Sequence, residues 1–535
     1  MRKLHKIYIL ILCVFLCGCS TVIVDNTGSN SEETIVDTDV IDLSQYEGPI
    51  VIDKEGTYRI KGTLKNGQVV VEAGKEEKVE LILDGVSISC NNSSAINCRQ
   101  AKDLIITLEE GSENILKDGK DYKYDDSEKE EPNAALFSKC DLVIRGNGTL
   151  KVEGNHKHGI ASKDDLKIEG GMIDVTSYSD GIRGKDSVTI ENGTINISSG
   201  KDGIAATNDK DDKRGWIDIR EGNFNIVSNG DGIQAETTMV ISGGVFNITT
   251  QGKSTGSSAS QKGLKAKDIL TIYDGSFTFN TTDDSIHSNT DVIIVDGDLH
   301  IETEDDGIHA DRDLVINAGT FDIPGCHEGM EATVITINGG NFYINADDDA
   351  IGASAKSEEA KAQGGGRNGN PAVNVYINGG EIEAVSQGDT IDSNGNIFVS
   401  GGKLRLTSPA DPYYEGVLLC NGTVTITGGD LAMAGNIGVE LTQREQPILL
   451  VSFPELQKKG ETISLKDSNG TQISEVKALR EYRQVIFSHP EMNLSETYIV
   501  CIDNEELLRV TLSEMINKVA SDGGEFTGGY PRGHW

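Results

Sequence analysis

Asp283-Asp284-Ser285-Ile286 is the first of four copies of one short pattern, in which acidic and small residues precede an aliphatic residue. The other copies are Asp305-Asp306-Gly307-Ile308, Glu328-Gly329-Met330 and Asp348-Asp349-Ala350-Ile351. The residue two places before the aliphatic residue is at position 284, 306, 328 and 349, so successive copies are 22, 22 and 21 residues apart. A fixed period of this length indicates a single structural unit repeated along the chain.

Each unit contains three short segments of alternating apolar and polar residues, as in Ile308-His309-Ala310, Leu314-Val315-Ile316 and Phe321-Asp322-Ile323. Alternation by twos predicts strands, and a β-propeller blade would need about 40 residues. The pattern therefore predicts an all-β right-handed parallel β-helix, with three strands in each coil of 22 residues. The first-strand aliphatic residues are Ile160, Ile182, Ile204, Ile233, Leu264, Ile286, Ile308, Met330, Ile351, Ile391 and Val417.

The N-terminus has the features of a targeting segment. Basic residues precede an apolar run from Ile7 to Leu16, which is too short for a membrane span. The run ends in Leu16-Cys17-Gly18-Cys19, which resembles a bacterial lipobox. This resemblance predicts a lipoprotein signal peptide over 1–19 and a lipid on Cys19; secretory cleavage nearby is the alternative.

The rest of the chain divides by changes in this periodicity. The predicted parts are a flexible tether (20–39), irregular coils or a cap (40–131), the regular β-helix (132–444), a small β cap or accessory unit (445–520) and a Gly-rich tail (521–535). Six cysteines lie beyond the tether without a CxxC spacing, so a zinc site is not expected. Cys90 and Cys98 could pair, but buried thiols are the favoured interpretation.

The charge balance restricts the partners. The chain has 48 basic and 85 acidic residues, a formal net charge of −37. Such a charge argues against nucleic acid and suits divalent cations, or an anionic ligand bridged to the protein by them.

Stacked acidic residues predict a calcium site. Equivalent positions in neighbouring coils lie about 4.8 Å apart, where carboxylates repel each other unless a cation lies between them. For a single coil, such as Asp202-Gly203, a simple turn role of the Asp is favoured. For four consecutive coils, calcium is favoured. The predicted metal ligands are Asp283, Asp284, Asp305, Asp306, Glu328, Glu331, Asp348 and Asp349.

A second column, one residue after each aliphatic, is expected to face solvent. It contains His287, His309 and Glu331 in successive coils, and Asp389 and Asp392 continue the acidic pattern. Exposed imidazoles can contact sugar, bind a transition metal or be simply solvated, and metal is the least favoured of these. The predicted ligand-binding residues are His287, His309, Lys265, Asp389 and Asp392.

The repeats also resemble those of a known family. The segments that carry the likeness include Asp306-Gly307-Ile308-His309-Ala310, His327-Glu328-Gly329-Met330-Glu331 and Asp180-Gly181-Ile182-Arg183-Gly184-Lys185-Asp186. They resemble bacterial calcium-binding, carbohydrate-binding proteins with a pectate-lyase-like β-helix, the clostridial cellulose- and polygalacturonate-binding type. His327 and Met330 depart from the usual Tyr and Ile. The resemblance implies calcium-dependent binding of acidic or cellulosic plant polysaccharide, and the lipobox predicts that this takes place at the extracellular face of a bacterial membrane.

Two alternatives remain open at this point. A calcium-dependent polysaccharide lyase would need a base, and Lys262 and Lys265 are weak candidates. The favoured alternative is that they form a solvated basic patch, which offsets the acidic column or binds uronate carboxylates. The sequence has no metalloprotease, phosphate-loop or G-x-S-x-G motif. The other alternative is a structural adhesin in which calcium only stiffens the coils.

Overall fold

The computed structural model describes residues 39–124, 130–252, 260–355, 361, 369–410, 415–437 and 441–526. These residues form mainly β-strands, with a 3-10 helix at Leu43–Gln45. The predicted signal peptide, most of the tether and Cys19 lie outside the described residues. In the described part, no helix has the length and apolar character needed to cross a membrane.

Most strands belong to one large sheet, in which three parallel ladders run side by side. In the regular part, each strand pairs with the strand three places further along the chain. The first ladder contains Ile50–Ile52, Val69–Glu72, Ile96–Gln100, Ala134–Ser138, His158–Ser162, Ile182–Gly184, Ile204–Ala206, Ile233–Ala235, Leu264–Ala266, Ile286–Ser288, Ile308–Ile316, Met330–Ile337, Ile351–Ala353, Ile391–Ser393 and Leu419–Cys420.

The second ladder also takes in the second halves of Ile308–Ile316 and Met330–Ile337. Its other strands are Asp39–Asp42, Gly56–Leu64, Lys78–Ser89, Asp103–Leu108, Asp141–Gly146, Asp165–Ile168, Ser187–Ile190, Trp216–Ile219, Met239–Ile241, Ile269–Ile272, Asp291–Ile294, Asn374–Ile377, Asn396–Val399, Val424–Ile426 and Leu441–Arg444.

The third ladder joins the C-terminal part of the chain. It contains Glu113–Lys117, Thr149–Gly154, Met172–Ser177, Thr194–Ser199, Asn223–Ser228, Val245–Thr250, Ser276–Thr281, Asp298–Thr303, Thr320–Cys326, Asn341–Ala346, Glu381–Ser386, Lys403–Thr407 and Asp430–Ala434. The last of these strands pairs antiparallel with Tyr482–Ser488, which pairs with Ile448–Gln457; Ile516–Ala520 adds in parallel to Ile448–Gln457. A separate antiparallel sheet contains Gln472–Lys477, Thr462–Lys466, Thr497–Ile502 and Glu505–Thr511 in that order.

The core consists of inward-facing residues that stack from coil to coil. Ile182, Ile204 and Ile233 are in register and fully buried. On the third ladder, the rings of Phe224 and Phe246 stack with centroids 4.5 Å apart. Each such side chain contributes about 1.5–3 kcal/mol on burial. The prediction of an all-β chain with a parallel, β-helix-like sheet is confirmed at this level.

All six cysteines of the described residues are free and buried. The Cys98 sulfur lies 3.4 Å from that of Cys140. The thiol next to Cys98 is therefore that of Cys140 and not that of Cys90, which the sequence offered as a possible partner.

Candidate functional site

The repeated pattern places one side chain of each coil in a continuous column along the first ladder. The backbone carbonyl of each residue in the column accepts a hydrogen bond from a backbone N–H of the preceding coil. The donor is the residue directly after the preceding member of the column, as in Gly203 N–Asp231 O (2.9 Å) and Ser285 N–Asp306 O (3.0 Å). The members of this acidic column are His158, Asp180, Asp202, Asp231, Lys262, Asp284, Asp306, Glu328, Asp349 and Asp389.

Seven of the ten column members are followed by glycine, and close packing between the coils requires glycine at such a position; Ser285, Ala350 and Thr390 follow the other three. A Cβ atom added at Gly203 would lie 2.4 Å from the Gly232 carbonyl oxygen and 2.5 Å from a methyl of Ile226. Larger residues would separate the coils, because backbone atoms cannot move aside cheaply. Packing therefore fixes the small and the aliphatic residue of the pattern. It does not fix the acidic residue, which can take part in binding.

In the middle of the column, the carboxylates are neutralised by the chain's own cations. Lys262 Nζ lies 2.5 Å from Asp283 Oδ1 and 2.6 Å from Asp284 Oδ2, and its side chain is 14% exposed. Burial opposes the charge of Lys262, but the two carboxylates raise its pKa. Burial likewise opposes ionisation of Asp284, but His287 and Lys262 hold its pKa well below the usual range.

Two histidines also contact these carboxylates. We define the ion-paired segment as Lys262, Asp283, Asp284, His287, Asp306 and His309. His287 Nδ1 lies 2.7 Å from Asp284 Oδ2, and His309 Nδ1 lies 3.1 Å from Asp306 Oδ2. His309 Nδ1 is also 3.3 Å from Glu331 Oε2. Burial opposes its protonation, but the hydrogen bonds to Asp306 and Asp311 and the charges of Asp284 and Glu331 raise its pKa to about 10.

The expectation that the second column faces solvent is wrong. The His287 and His309 side chains are only 12% and 15% exposed, and Glu331 is buried. The imidazoles turn back onto the carboxylates three positions earlier, because a carboxylate is a strong hydrogen-bond partner for the ring nitrogen.

Coils before the ion-paired segment use the same arrangement. Arg183 donates to the fully buried Asp180 (3.0 Å), and Lys201 donates to Asp202 (2.9 Å). Lys265 lies 3.3 Å from the Asp231 carboxylate. These basic side chains come from the coil of the acid or from the next coil, so charge balance along this part of the column is built into the sequence.

The acids of the later coils have no such ion pairs within the part of the chain that the structure describes. Among the described residues, none forms an ion pair with Asp349, Asp389 or Asp392. Burial and neighbouring carboxylates raise the pKa of Asp349 to about 8, that of Asp389 to about 9 and that of Asp392 to about 7. We call Asp348, Asp349, Asp389 and Asp392 the acidic segment. Among the described residues, the basic side chain within ion-pair distance of this segment is His327, 3.9 Å from Asp348.

Two glycines leave room for these carboxylates. A Cβ atom added at Gly388 would lie 2.5 Å from Asp349 Oδ1 and 2.6 Å from Asp348 Oδ1. A Cβ atom at Gly352 would lie 2.7 Å from Glu328 Oε2. Carboxylate oxygens of Asp348 and Asp349 thus lie against Gly388, and one of Glu328 lies against Gly352. An all-oxygen donor set of this kind fits calcium, which accepts irregular geometry.

The structure thus divides the predicted metal ligands between two places. Ligand atoms of Asp283, Asp284 and Asp305 lie within 4.8 Å of one another, as do those of Asp306, His309 and Glu331. Burial and the charges of Asp306 and Asp284 raise the pKa of Asp305 to about 6. Of the remaining predicted ligands, Asp348 and Asp349 lie close to Asp392, and Glu328 lies against Gly352.

The weak catalytic candidates have structural partners. Lys262 is held by two carboxylates and its raised pKa keeps it protonated, so it is a poor general base. Lys265 donates to Ser260 (3.0 Å) and pairs with Asp231. The geometry fits the alternative role of offsetting the acidic column.

Sequence reasoning missed two groups. Glu415 lies close enough to Asp389 and Asp392 to raise their pKa, and its place two residues before the first-strand aliphatic Val417 was the available signal. A second cluster of carboxylates, at Asp141, Asp164 and Asp165, lies at the start of second-ladder strands. It has no counterpart in the repeated pattern, so no sequence signal identified it.

Comparison with known proteins gives three findings. A family model described as carbohydrate-binding domain-containing protein matches residues 47–307 and 303–416. A protein of that description from Acetivibrio thermocellus is 37% identical over 156 residues, which are 28% of this chain and 54% of the relative, so the chain spans about half of that relative's length. A solved structure, titled as the polysaccharide lyase-like protein from C. thermocellum, gadolinium derivative, is 33% identical. It covers 44% of this chain and 95% of its own, with a TM-score of 0.41.

Proposed function

The chain belongs to the family of carbohydrate-binding domain-containing proteins, and we propose that it binds an acidic polysaccharide through calcium held by the acidic segment. Polygalacturonate is the substrate class that we favour, and a cellulosic glycan is the second choice. The observation that carries the proposal is the group formed by Asp349, Asp389 and Asp392, which have raised pKa values and no cationic partner among the described residues.

Charge decides where on the column the ion would bind. In the ion-paired segment, a calcium ion would have to displace Lys262 and two histidines from carboxylates that they already contact. In the acidic segment, the same ion would relieve repulsion between carboxylates that now favour protonation. We therefore place the predicted calcium site at Asp348, Asp349, Asp389 and Asp392, and take Asp284 and Asp306 as structural.

The side chains present are suited to this ligand. Asp349 Oδ1 accepts a hydrogen bond from Asp389 N (2.7 Å), and Asp389 Oδ1 accepts one from Gly416 N (2.5 Å), so both carboxylates are held in place. Asp348 is exposed and lies beside them. When bound, calcium would supply positive charge and coordination positions for a sugar carboxylate.

We propose binding without cleavage. The lyase alternative needs a neutral base near the sugar, and the raised pKa of Lys262 argues against it in that role. We also propose that the ladders wind as a right-handed β-helix with three strands per coil, which the pairing between every third strand supports. Attachment of the chain to the outer face of a bacterial membrane through Cys19 remains part of this proposal.

The test is binding of the purified protein to polygalacturonate in calcium and in EDTA. We expect retention that is lost in EDTA and restored by calcium. The double variant Asp349→Asn/Asp389→Asn should not bind in calcium, whereas Asp298→Asn, which removes one exposed charge elsewhere, should bind as the wild type does. Absorbance from unsaturated uronate ends would identify a lyase instead. Retention that is indifferent to EDTA would exclude the calcium mechanism.

A further inference from the structure

A cleft of about 550 Å³ lies where the third ladder meets the C-terminal β unit. On the ladder side it is lined by Tyr343, Val385 and Pro409. On the opposite side it is lined by Lys459, Arg480 and Glu481, from the loops that precede Thr462–Lys466 and Tyr482–Ser488. We call it the seam cleft. The matched family region ends at residue 416, so these three charged residues lie beyond it.

The cleft presents two cations and one carboxylate, in a chain whose net charge is −37. Lys459 and Arg480 form no ion pair with any residue that the structure describes. The Nε atom of Arg480 is buried and has no hydrogen-bond partner. A buried donor of this kind is rare in native proteins because it loses its water without gaining an acceptor. An acceptor supplied by a ligand would resolve this.

The rest of the lining has a different character. Tyr343 points outward from its strand and is 39% exposed, although it is aromatic. Val385 and Pro409 add apolar surface next to it. A ligand that suits both sides needs a carboxylate for the cations and a face of C–H groups for the ring. A sugar acid has both, since the C–H face of a pyranose packs on aromatic rings while its carboxylate accepts charge-assisted hydrogen bonds.

We propose that the seam cleft binds the carboxylate of a sugar acid directly, through Arg480 and Lys459, without calcium. This inference rests on the proposed function, since it assigns a second contact to the same class of polysaccharide. It differs in its chemistry, because the guanidinium is the partner of the sugar carboxylate here. Inorganic anions such as sulfate share the negative charge but lack the C–H face.

Calorimetric titration of the purified protein with trigalacturonate in EDTA tests the proposal, because EDTA removes any contribution from the acidic segment. We expect binding that Arg480→Met weakens about tenfold or more, the loss of one charge-assisted hydrogen bond. Lys459→Met should weaken binding as well, and because Lys459 is exposed, its replacement removes the charge without disturbing the core. Tyr343→Ala should weaken binding of trigalacturonate but leave sulfate unaffected.

Two variants outside the cleft are matched controls. Lys458→Met removes an exposed charge from the neighbouring residue, and Arg483→Met removes a guanidinium that donates to the Pro454 carbonyl (2.8 Å). Both should bind trigalacturonate as the wild type does. No binding in EDTA, or equal losses in the control variants, would overturn the proposal. Sulfate binding as tightly as trigalacturonate would overturn the assignment to a sugar acid. Each of these results leaves calcium-dependent retention on polygalacturonate to be judged separately.

Discussion

The ion-paired segment and the acidic segment occupy the same column of the same ladder, yet they have opposite charge balance. Both carry acids two residues before a buried aliphatic. They differ one residue after that aliphatic, where the registered positions are Lys265, His287, His309, Glu331, Gly352 and Asp392. In the earlier coils this position supplies a Lys or His side chain that contacts an acid of the column; in the later coils it supplies no side chain or a further carboxylate. The same repeated motif therefore forms ion pairs in the ion-paired segment. In the acidic segment it forms a cluster of carboxylates to which a cation could bind.

Removing Lys262 should have the largest effect on the ion-paired segment. In Lys262→Met, Asp283 and Asp284 lose the ammonium that both contact. Breaking a buried pair from one side costs about 3–5 kcal/mol, because the remaining charge stays in a poorly solvated place. Urea unfolding measures the loss. Lys267→Met, at an exposed position nearby, should change stability by less than about 0.5 kcal/mol. Equal effects of the two variants would show that Lys262 is not needed for charge balance.

Calcium should act on the other segment. At a free concentration of about 100 times its Kd, calcium should raise the free energy of unfolding by about 2.7 kcal/mol per site, since it binds only the folded chain. Urea unfolding in calcium and in EDTA measures the difference. Asp349→Asn/Asp389→Asn should abolish the response, and Asp298→Asn should keep it. If Asp283→Asn abolished the response while the double variant kept it, the ion would belong to the ion-paired segment.

The sequence predicts the fold well, because the signals that determine it are local. The acid-small-aliphatic repeat follows from close approach of neighbouring coils, as at Gly203, and the aliphatic residues are buried as the period requires. The site is harder to predict because its electrostatics depend on side chains from different coils. Lys262 lies 22 residues before Asp284, so the period predicts that it neighbours the acids, but it does not show that one ammonium contacts both Asp283 and Asp284.

The direction of the side chains is a second property that the sequence does not predict. Alternation places His287 and His309 on the outside of the sheet, and that much was predicted. It does not show that each ring folds back onto the Asp three positions earlier. The seam cleft lay beyond sequence reasoning as well, since Tyr343 and Arg480 come together only through pairing of Asp430–Ala434 with Tyr482–Ser488.

A smaller change sharpens the assignment within the acidic segment. Gly388→Ala places a methyl group 2.5 Å and 2.6 Å from carboxylate oxygens of Asp349 and Asp348, so these groups must move apart. We expect calcium affinity to fall about tenfold, which corresponds to about 1.4 kcal/mol. Calorimetric titration with calcium measures it. Gly325→Ala, where the added Cβ meets nothing within 4 Å, is the control and should leave the affinity unchanged. An unchanged affinity in Gly388→Ala would place the ion elsewhere.

A further prediction concerns the protonation of His309. Asp284, Asp306, Asp311 and Glu331 face this ring and raise its pKa to about 10. Because the folded-state pKa is above the unfolded value of about 6.5, the stabilisation is complete below pH 6.5 and is lost as the pH rises through 10.

The His309 ring signals in NMR should therefore not titrate between pH 5 and about 8, in calcium or in EDTA. The variant His309→Gln assigns the signals. A calcium ion bound to Asp284 and Asp306 would take over their negative charge and return the midpoint of His309 toward the ordinary range of histidine. A calcium-dependent midpoint between pH 6 and about 8 would thus contradict the division of the column, because it would show that both segments exchange their partners for the metal.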